Sequence, residues 1–369
     1  MMFRRSTTGG HHPDYFLIVL VLVIVVFGFI MLASASSELG KVHYNDSYYY
    51  VRHQLLYGLS FGIVGFFLAS FVRYSRYRTL ALPMLILTIL LLLLVFTPLG
   101  VEANNATRWL HLGLIRFQPA ELLKLTLILY LAAWLSRANM QRSSSLLKGL
   151  LPFLVVLGIV GTLLVLQPAT STVLILLGTG MVLYFLSGAK LRYIAGTMLL
   201  ILVSVGLIIY ATPYRRERIM GFLEPGQHQE TKNFQVSQSL IAIGAGGFTG
   251  AGYGRSLVKS NLPATVDDSI FAVIGEELGF AGSASLVALF AALVFRFFWL
   301  ARRAPDLFGR LMLAGFGTVI ALQSLVNMGA ISGLLPLTGV PLPFISYGGT
   351  ALAVFLTMTG VAVNASKYT

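Results

Sequence analysis

The sequence contains no cysteine, and this absence excludes disulfide bonds, catalysis by a thiolate and metal sites with cysteine ligands. Charged residues are also scarce, at 11% of the chain, whereas 57% of the residues are hydrophobic and the mean hydropathy is +0.83. Such a composition is far from that of a soluble protein. It indicates an integral membrane protein.

Long apolar segments recur along nearly the whole chain, and a run of roughly 20 apolar residues is long enough to cross a bilayer as a helix. Ten segments predict an all-α membrane protein with about ten transmembrane helices: 15–36, 54–72, 79–98, 119–136, 149–167, 171–187, 192–212, 269–300, 308–330 and 345–365. The apolar core of the first segment is too long for a signal peptide. We therefore predict a cytoplasmic tail of residues 1–13 and a single polytopic domain of residues 14–369.

Lysine and arginine residues favour an orientation with the N-terminus in the cytoplasm. With ten spans the C-terminus is then also cytoplasmic, and residues 213–268, between helices seven and eight, form one long loop on the outer face. The net charge of +13 is spread over loops of both faces. This distribution indicates that the charges set the membrane topology and attract anionic lipids, and it argues against nucleic acid as a partner.

The outer loops also contain cations that this topology rule does not explain. They are Arg108, Arg116, Arg215, Arg216, Arg218, Lys232, Arg255 and Lys259. A guanidinium group binds phosphate oxygens as a planar fork. These residues are therefore candidates for binding a pyrophosphate ligand at the outer face.

Glu121 and Lys124 are three residues apart near the start of the fourth predicted helix, so their side chains share one helix face. Ionisable groups in a membrane helix normally face the protein interior. The pair is either a self-neutralising ion pair that joins two helices or a polar wall of a substrate cavity. The sequence leaves both interpretations open.

Asp267 and Asp268 end the long outer loop, and Glu276 and Glu277 follow in the next predicted helix. With no histidine beside them, these carboxylates give weak support for a closed metal site. One interpretation of the aspartates is an N-cap, in which a carboxylate satisfies free amides at the helix start. The other is a catalytic carboxylate at the membrane surface.

Two segments rich in glycine and proline, residues 241–256 and 332–349, interrupt regular helix at outer-face positions. The first lacks the GxxxxGK[ST] pattern of a phosphate-binding loop. Non-helical backbone at membrane depth must be shielded by protein or line water. We therefore predict that the two segments cover a groove that opens to the outer leaflet.

Five segments together resemble the SEDS family, the shape, elongation, division and sporulation proteins. They are LASASS at 32–37, TRWLHLGLIRFQPAELLKL at 107–125, FQVSQSLIAIGAGGFTGAGYG at 234–254, DDSIFAVIGEELGF at 267–280 and GLLPLTGVPLPFISYGG at 333–349. They occur in the family's order over most of the chain. The opening segment DYFLIVLVLVIVVFGFIMLASAS at 14–36 and the segment GLLPLTGVPLPFISYGG at 333–349 are more similar to the division member than to the elongation member.

The resemblance implies a peptidoglycan glycosyltransferase in the bacterial cytoplasmic membrane with its active site facing outward. The implied reaction transfers a glycan from undecaprenyl pyrophosphate to a sugar hydroxyl of lipid II. The implied partners are a class B penicillin-binding protein and other division or elongation proteins. A divalent cation, Mg²⁺ or Mn²⁺, is a possible cofactor.

The resemblance also implies roles for individual residues. The register of SIFAVIGEELGF makes Asp268 the family's essential aspartate and the expected general base. The residues expected to bind substrate are Arg108, Glu121, Lys124, Asp267, Arg215, Arg216 and Arg218. The residues expected to shape the cavity are Pro343, Ser346, Gly348 and Gly349.

The chain departs from the family's pattern on the outer rim. Members commonly carry a glutamate and a histidine where this chain has Ala264 and Val266, and many carry an aspartate and a glycine where it has Ala169 and Ser171. Because of these differences, one alternative function is that of a non-catalytic scaffold that activates a penicillin-binding protein. A second alternative is a lipid II flippase or transporter, because ten spans with broken helices and an intramembrane polar pair also suit a carrier.

Overall fold

The computed structural model describes residues 11–103, 106–113, 115–137, 145–223, 234–257, 259 and 265–369. Its helices, in chain order, are α1 (Tyr15–Tyr44), α2 (Tyr49–Phe71), α3 (Tyr74–Leu94), α4 (Pro119–Arg137), α5 (Leu146–Leu166), α6 (Thr170–Leu186), α7 (Leu191–Ala211), α8 (Pro213–Leu223), α9 (Phe234–Gly246), α10 (Ile270–Arg303), α11 (Leu307–Ile331) and α12 (Gly349–Ser366). Within the described ranges, nine of these are long and apolar enough to cross a membrane. The apolar helix α6 has 17 residues, about the lower limit for a span. The predicted multi-pass helical protein is confirmed.

A small antiparallel sheet lies between α3 and α4, and the sequence did not predict it. Its strands are β1 (Gly100–Ala103), β2 (Ala106–Leu112) and β3 (Ile115–Phe117), with β2 in the centre. Leu110 of β2 is fully buried, so the sheet is anchored to the protein. Pairing between the strands satisfies the backbone N–H and C=O groups of this connection. The strands are too short to show a clear alternation of apolar and polar residues in the sequence.

The predicted outer loop of residues 213–268 is partly helical, since it contains α8 and α9. Part of its glycine-rich segment is helical as well. Gly247 adopts φ +55 directly after α9, a left-handed conformation that suits glycine at a helix end.

Three helices form the centre of the bundle. In α4, α11 and α12, 78% of the most apolar window is buried within the protein, compared with 6% in α7. Close packing of α12 against α2 depends on small residues, because a Cβ added to Gly62 would lie 2.4 Å from a methyl carbon of Leu356. The site described below lies at one end of this centre.

Helix α10 bends at Gly279, which has φ 66 and ψ −162. The bend frees backbone groups, and the loop after α9 pairs with them: Phe280 donates its N–H to the carbonyl of Gly247 at 2.9 Å, and Ala251 donates to that of Glu276 at 2.9 Å. This pairing satisfies backbone groups that would otherwise be costly to bury.

Candidate active site

Asp268 lies immediately before α10, and its side chain is buried, with 8% exposure. Its backbone carbonyl accepts a hydrogen bond from Nδ2 of Asn327 at 2.8 Å, and its Oδ1 accepts one from Nε2 of Gln235 at 3.2 Å. The capping interpretation of the aspartates is wrong. The cap position of α10 is occupied by Ser269, and no side-chain cap bond is made there.

The two adjacent aspartates have raised pKa values. Burial raises the pKa of Asp268 to about 6, although the charge of Arg218 and the hydrogen bond from Gln235 act in the opposite direction. The side chain of Asp267 reaches solvent. Protein packed around the rest of it, together with the charge of Asp268, raises its pKa to about 7. A carboxylate that titrates near neutral pH suits a general base.

Glu121 and Lys124 form a buried ion pair near the start of α4, with Nζ of Lys124 2.7 Å from Oε1 of Glu121. The same Nζ donates to Oε1 of Gln323 in α11 at 2.7 Å. Oε2 of Glu121 is buried and accepts no hydrogen bond within the described residues. The hydrogen bond from Lys124 to Gln323 joins α4 to α11 and supports the helix-joining interpretation. The unpaired oxygen of Glu121 is consistent with a polar wall that meets a ligand.

Two amide side chains of α11 connect this ion pair to Asp268. Gln323, which accepts the bond from Lys124, donates from Nε2 to the carbonyl of Pro341 at 2.8 Å. Asn327, which also holds Asp268, donates to the carbonyl of Val340 at 2.7 Å. Since the two amides are four residues apart, they are about 6 Å apart along the helix axis. The ion pair and Asp268 therefore attach to neighbouring turns of one central helix.

The sequence analysis did not identify these amides as site residues. Gln323 and Asn327 share one face of a mainly apolar membrane helix. Polar groups at such positions are costly unless they have partners. That spacing was the available signal.

The connection between α11 and α12, residues 332–348, is the frame on which the site is assembled. Arg218 donates from Nη1 to the carbonyl of Leu337 at 3.2 Å. Gly339 has φ +66, and a Cβ added there would lie 3.5 Å from Oδ2 of Asp268. The lack of a side chain at Gly339 thus leaves the space next to the carboxylate open.

Ser346 closes the turn at the end of this connection, which also contains Pro343. Its hydroxyl oxygen accepts the backbone N–H of Leu342 at 2.8 Å, and its side chain is almost completely buried. These residues fix the path of the backbone. Their predicted role in shaping a cavity remains a prediction.

Gly348 and Gly349 join this turn to α2. Gly348 donates its N–H to Oε1 of Gln54 at 3.0 Å, and a Cβ added to Gly349 would lie 3.2 Å from the backbone of Tyr57. Residues 54–59 of α2 are π-helical, a geometry often found beside functional sites. Glycine therefore allows α2 and α12 to approach closely at the site.

The other predicted arginines have different surroundings. Arg108, on β2, donates to the carbonyl oxygens of residues 167–168 at 3.1 and 2.5 Å, and Arg215 donates to that of Val165 at 3.2 Å. Both therefore bind backbone at the C-terminal end of α5, where carbonyls lack helical partners. Arg216 is exposed. Of the predicted arginines, Arg218 is the one whose charge acts on Asp268.

Three of the positions expected to depart from the family pattern, Ala169, Ser171 and Val266, lie beside the same frame. Ala169 and Val266 are buried, and Ser171 donates to the carbonyl of Thr338 at 2.7 Å. Ala264 lies outside the described residues. Ala169 and Val266 thus place apolar side chains close to the site.

Glu276 and Glu277 have structural partners. Glu276 accepts the N–H of Leu257 at 2.8 Å, and Glu277 accepts the hydroxyl of Ser34 at 2.5 Å. Among the described residues, no three histidine, aspartate or glutamate side chains converge to hold a metal ion. Asp267 and Asp268 alone offer two carboxylates, a set that suits Mg²⁺ when substrate phosphates and water complete its shell.

The family model for cell cycle proteins of the FtsW, RodA and SpoVE type matches residues 14–369. The chain belongs to this family. This member of the family is 37% identical over 342 residues to a probable peptidoglycan glycosyltransferase FtsW of Geobacter sp. (strain M18). The matched residues make up 92% of this chain and 93% of the relative. This chain is 35% identical over 365 residues to the stage V sporulation protein E of Bacillus subtilis (strain 168), with 98% and 99% covered.

Solved structures agree with this family assignment. One of them is a peptidoglycan synthase complex described for its structural coordination of polymerization and crosslinking. A chain of that complex is 32% identical to this chain with a TM-score of 0.80, and the match covers 96% of this chain and 97% of that one. The rod shape determining protein RodA of Thermus thermophilus is 30% identical, with a TM-score of 0.70 and 96% of each chain covered. The resemblance to the SEDS family is confirmed.

Proposed function

We propose that this FtsW/RodA/SpoVE protein is a peptidoglycan glycosyltransferase that polymerises lipid II, with Asp268 as its general base. Similarity to relatives named peptidoglycan glycosyltransferase extends over more than nine-tenths of the chain. The observation that carries the assignment of the base is a buried carboxylate whose pKa lies at about 6, next to an open space left by Gly339. Such a group is ionised at neutral pH and retains enough basicity to take a proton.

In the proposed reaction, a sugar hydroxyl of lipid II attacks the anomeric carbon of the growing glycan. Asp268 accepts the hydroxyl proton while the new carbon–oxygen bond forms. The bond from the anomeric carbon to the pyrophosphate oxygen breaks, and undecaprenyl pyrophosphate leaves with the electron pair. Proton transfer by a positioned base typically contributes about 10²- to 10⁴-fold to the rate.

Lys124 and Arg218 are the cations that we assign to the departing pyrophosphate. Both attach to the frame that holds Asp268, Lys124 through Gln323 and Arg218 through Leu337. Fixed cations that face developing negative charge stabilise the transition state. A divalent cation, if bound, would be held by Asp267 together with water and substrate phosphate oxygens and would neutralise phosphate charge, which leaves Asp268 free to act as the base.

We further propose that the protein acts with a class B penicillin-binding protein in the cytoplasmic membrane, and with other division or elongation proteins. The support is its TM-score of 0.80 with a chain of a peptidoglycan synthase complex. Relatives named FtsW favour a role in division. The outward orientation of the Asp268 end rests on the distribution of lysine and arginine.

The second candidate function is a non-catalytic scaffold, which the apolar residues Ala169 and Val266 beside the site favour. The test is polymerisation of purified lipid II by the reconstituted protein, with and without the penicillin-binding protein. Wild type is compared with Asp268→Asn and with Asp267→Asn as a matched control.

We expect Asp268→Asn to lose polymer formation by at least about 10²-fold while its unfolding temperature stays close to that of wild type. Asp267→Asn should retain more activity, since its side chain is not enclosed by the frame. Equal polymer from Asp268→Asn and wild type would reject the catalytic assignment and support the scaffold. Movement of lipid II without polymer would support the flippase.

A further inference from the structure

A pocket of about 310 Å³ lies at the opposite end of the bundle from Asp268. Helix α10 begins beside Asp268 and ends at Arg303, and the pocket is formed where α1 begins and where α10 and α12 end. Its lining includes His12, Asp14, Phe16, Arg296, Trp299 and Arg303. The proposed glycosyltransferase reaction does not use these residues.

The pocket lining includes the indole ring of Trp299, which has two guanidinium groups over it. The guanidinium carbon of Arg296 is 4.0 Å from the ring centroid of Trp299, and that of Arg303 is 3.6 Å from it. A guanidinium group stacked on a ring keeps its N–H bonds in a plane parallel to the ring. Its hydrogen-bond donors therefore remain accessible from the side.

The two arginines differ in their partners. Arg296 donates two hydrogen bonds to Oδ2 of Asp14, at 2.9 and 2.5 Å, so its charge is compensated. The other oxygen of Asp14 accepts the N–H of Leu17 at 2.8 Å. Arg303 is exposed, and within the described residues no carboxylate forms an ion pair with it. Of the two guanidinium groups in the pocket, that of Arg303 is therefore the one without an ion-pair partner among the described residues.

The surroundings place this guanidinium at the level of a membrane interface. Tyr15 and Phe16, at the start of the first membrane helix, are 61% and 53% exposed. Aromatic rings at helix ends occupy the headgroup region of a bilayer, and arginine there meets lipid phosphates. A ligand at this position has access both to Arg303 and to an apolar surface.

We propose that this pocket binds the phosphate of an anionic phospholipid headgroup, with Arg303 as the principal ligand and Trp299 as the platform that orients it. The phosphate oxygens accept hydrogen bonds from the in-plane donors of Arg303. The acyl chains lie along the exposed rings of Tyr15 and Phe16. This proposal is independent of the chemistry at Asp268.

The test measures lipid binding to the full chain in neutral detergent, where no charged bilayer surface contributes. Phosphatidylglycerol is titrated against wild type, Arg303→Ala and Arg302→Ala, and bound lipid is counted by native mass spectrometry. Arg302 is a matched control, because it is exposed at the same helix end and its removal changes the net charge by the same amount. Phosphatidylcholine and inorganic phosphate serve as the other ligands.

We expect wild type and Arg302→Ala to bind phosphatidylglycerol equally, and Arg303→Ala to bind it about ten-fold more weakly, the size expected for loss of a charged hydrogen bond. Arg303→Lys should lie between them, since it keeps the charge and loses the planar fork. Equal losses in both alanine variants, or equal binding of phosphatidylcholine, would overturn the proposal. Binding of inorganic phosphate as strong as that of the lipid would keep the phosphate site and reject the lipid.

Discussion

At the scale of single residues, the most consequential property is the position of Asp268 in a mostly enclosed environment. Burial disfavours the charged carboxylate, and the raised pKa of about 6 follows from it. The general base must be ionised, and protonation below this pKa removes it. We therefore expect the rate of polymerisation to fall about ten-fold for each pH unit below about 6.

The measurement is the pH profile of polymer formation at lipid II concentrations well below KM, where kcat/KM reports the pKa of the free enzyme, with folding checked at each pH. An exposed aspartate would place the acidic limb near pH 4. An unchanged rate down to about pH 5 would therefore contradict the assignment of Asp268 as the base.

The buried pair of Glu121 and Lys124 gives a second prediction at this scale. Lys124→Met leaves the Glu121 carboxylate buried without its partner, and the expected loss is about 3–5 kcal/mol of stability. The double variant Glu121→Leu, Lys124→Met removes both charges and should recover most of that loss. Thermal unfolding in detergent measures both.

The same two variants separate the alternatives for this pair. A double variant that is stable but inactive would assign the pair to the reaction. A double variant that is stable and active would leave it as a device that joins α4 to α11. A double variant no more stable than Lys124→Met alone would contradict the account of an unpaired buried charge.

At the scale of elements, the bend in α10 holds the loop that follows α9. A Cβ at Gly279 would lie 2.4 Å from the nitrogen of Gly250, and its φ of 66 with ψ −162 is a conformation that is essentially restricted to glycine. We expect Gly279→Ala to destabilise the protein by more than about 1 kcal/mol.

Gly206→Ala in α7 is the matched control, because nothing lies within 4 Å of its added Cβ. Alanine is favoured over glycine in a helix, so this change should be neutral or slightly stabilising. The unfolding temperatures of the two variants test this prediction. Equal changes in stability would argue against the close approach of Gly250 to Gly279 at the bend.

At the scale of the whole molecule, the helices differ in what surrounds them. Leu313 in α11 is fully buried, whereas Leu202 in α7 is 62% exposed on a surface that faces lipid. Leu313→Ala leaves a cavity and should cost about 2–5 kcal/mol. Leu202→Ala should cost less than about 1 kcal/mol, because lipid fills the space and is as apolar as leucine. Thermal unfolding in lipid nanodiscs compares the two, and a large loss for Leu202→Ala would show that α7 packs against protein.

The sequence by itself determined the membrane class and the approximate position of each span, and its resemblance to the SEDS family supplied the identity of the candidate base. Spans could be predicted because the thickness of a bilayer sets the length of an apolar helix locally. Asp268 could be placed because the residues that follow it fix its register.

Only the tertiary structure decided which polar groups converge. Asn327 and Asp268 are 59 residues apart, and Lys124 and Gln323 are 199 apart, so no local pattern predicts that they meet. The same is true of Arg108, whose contacts with the backbone carbonyls of Gln167 and Pro168 join segments about 60 residues apart, and its role in binding phosphate remains a prediction. Apolar length is a property of one segment, whereas a site depends on how separate segments pack against one another.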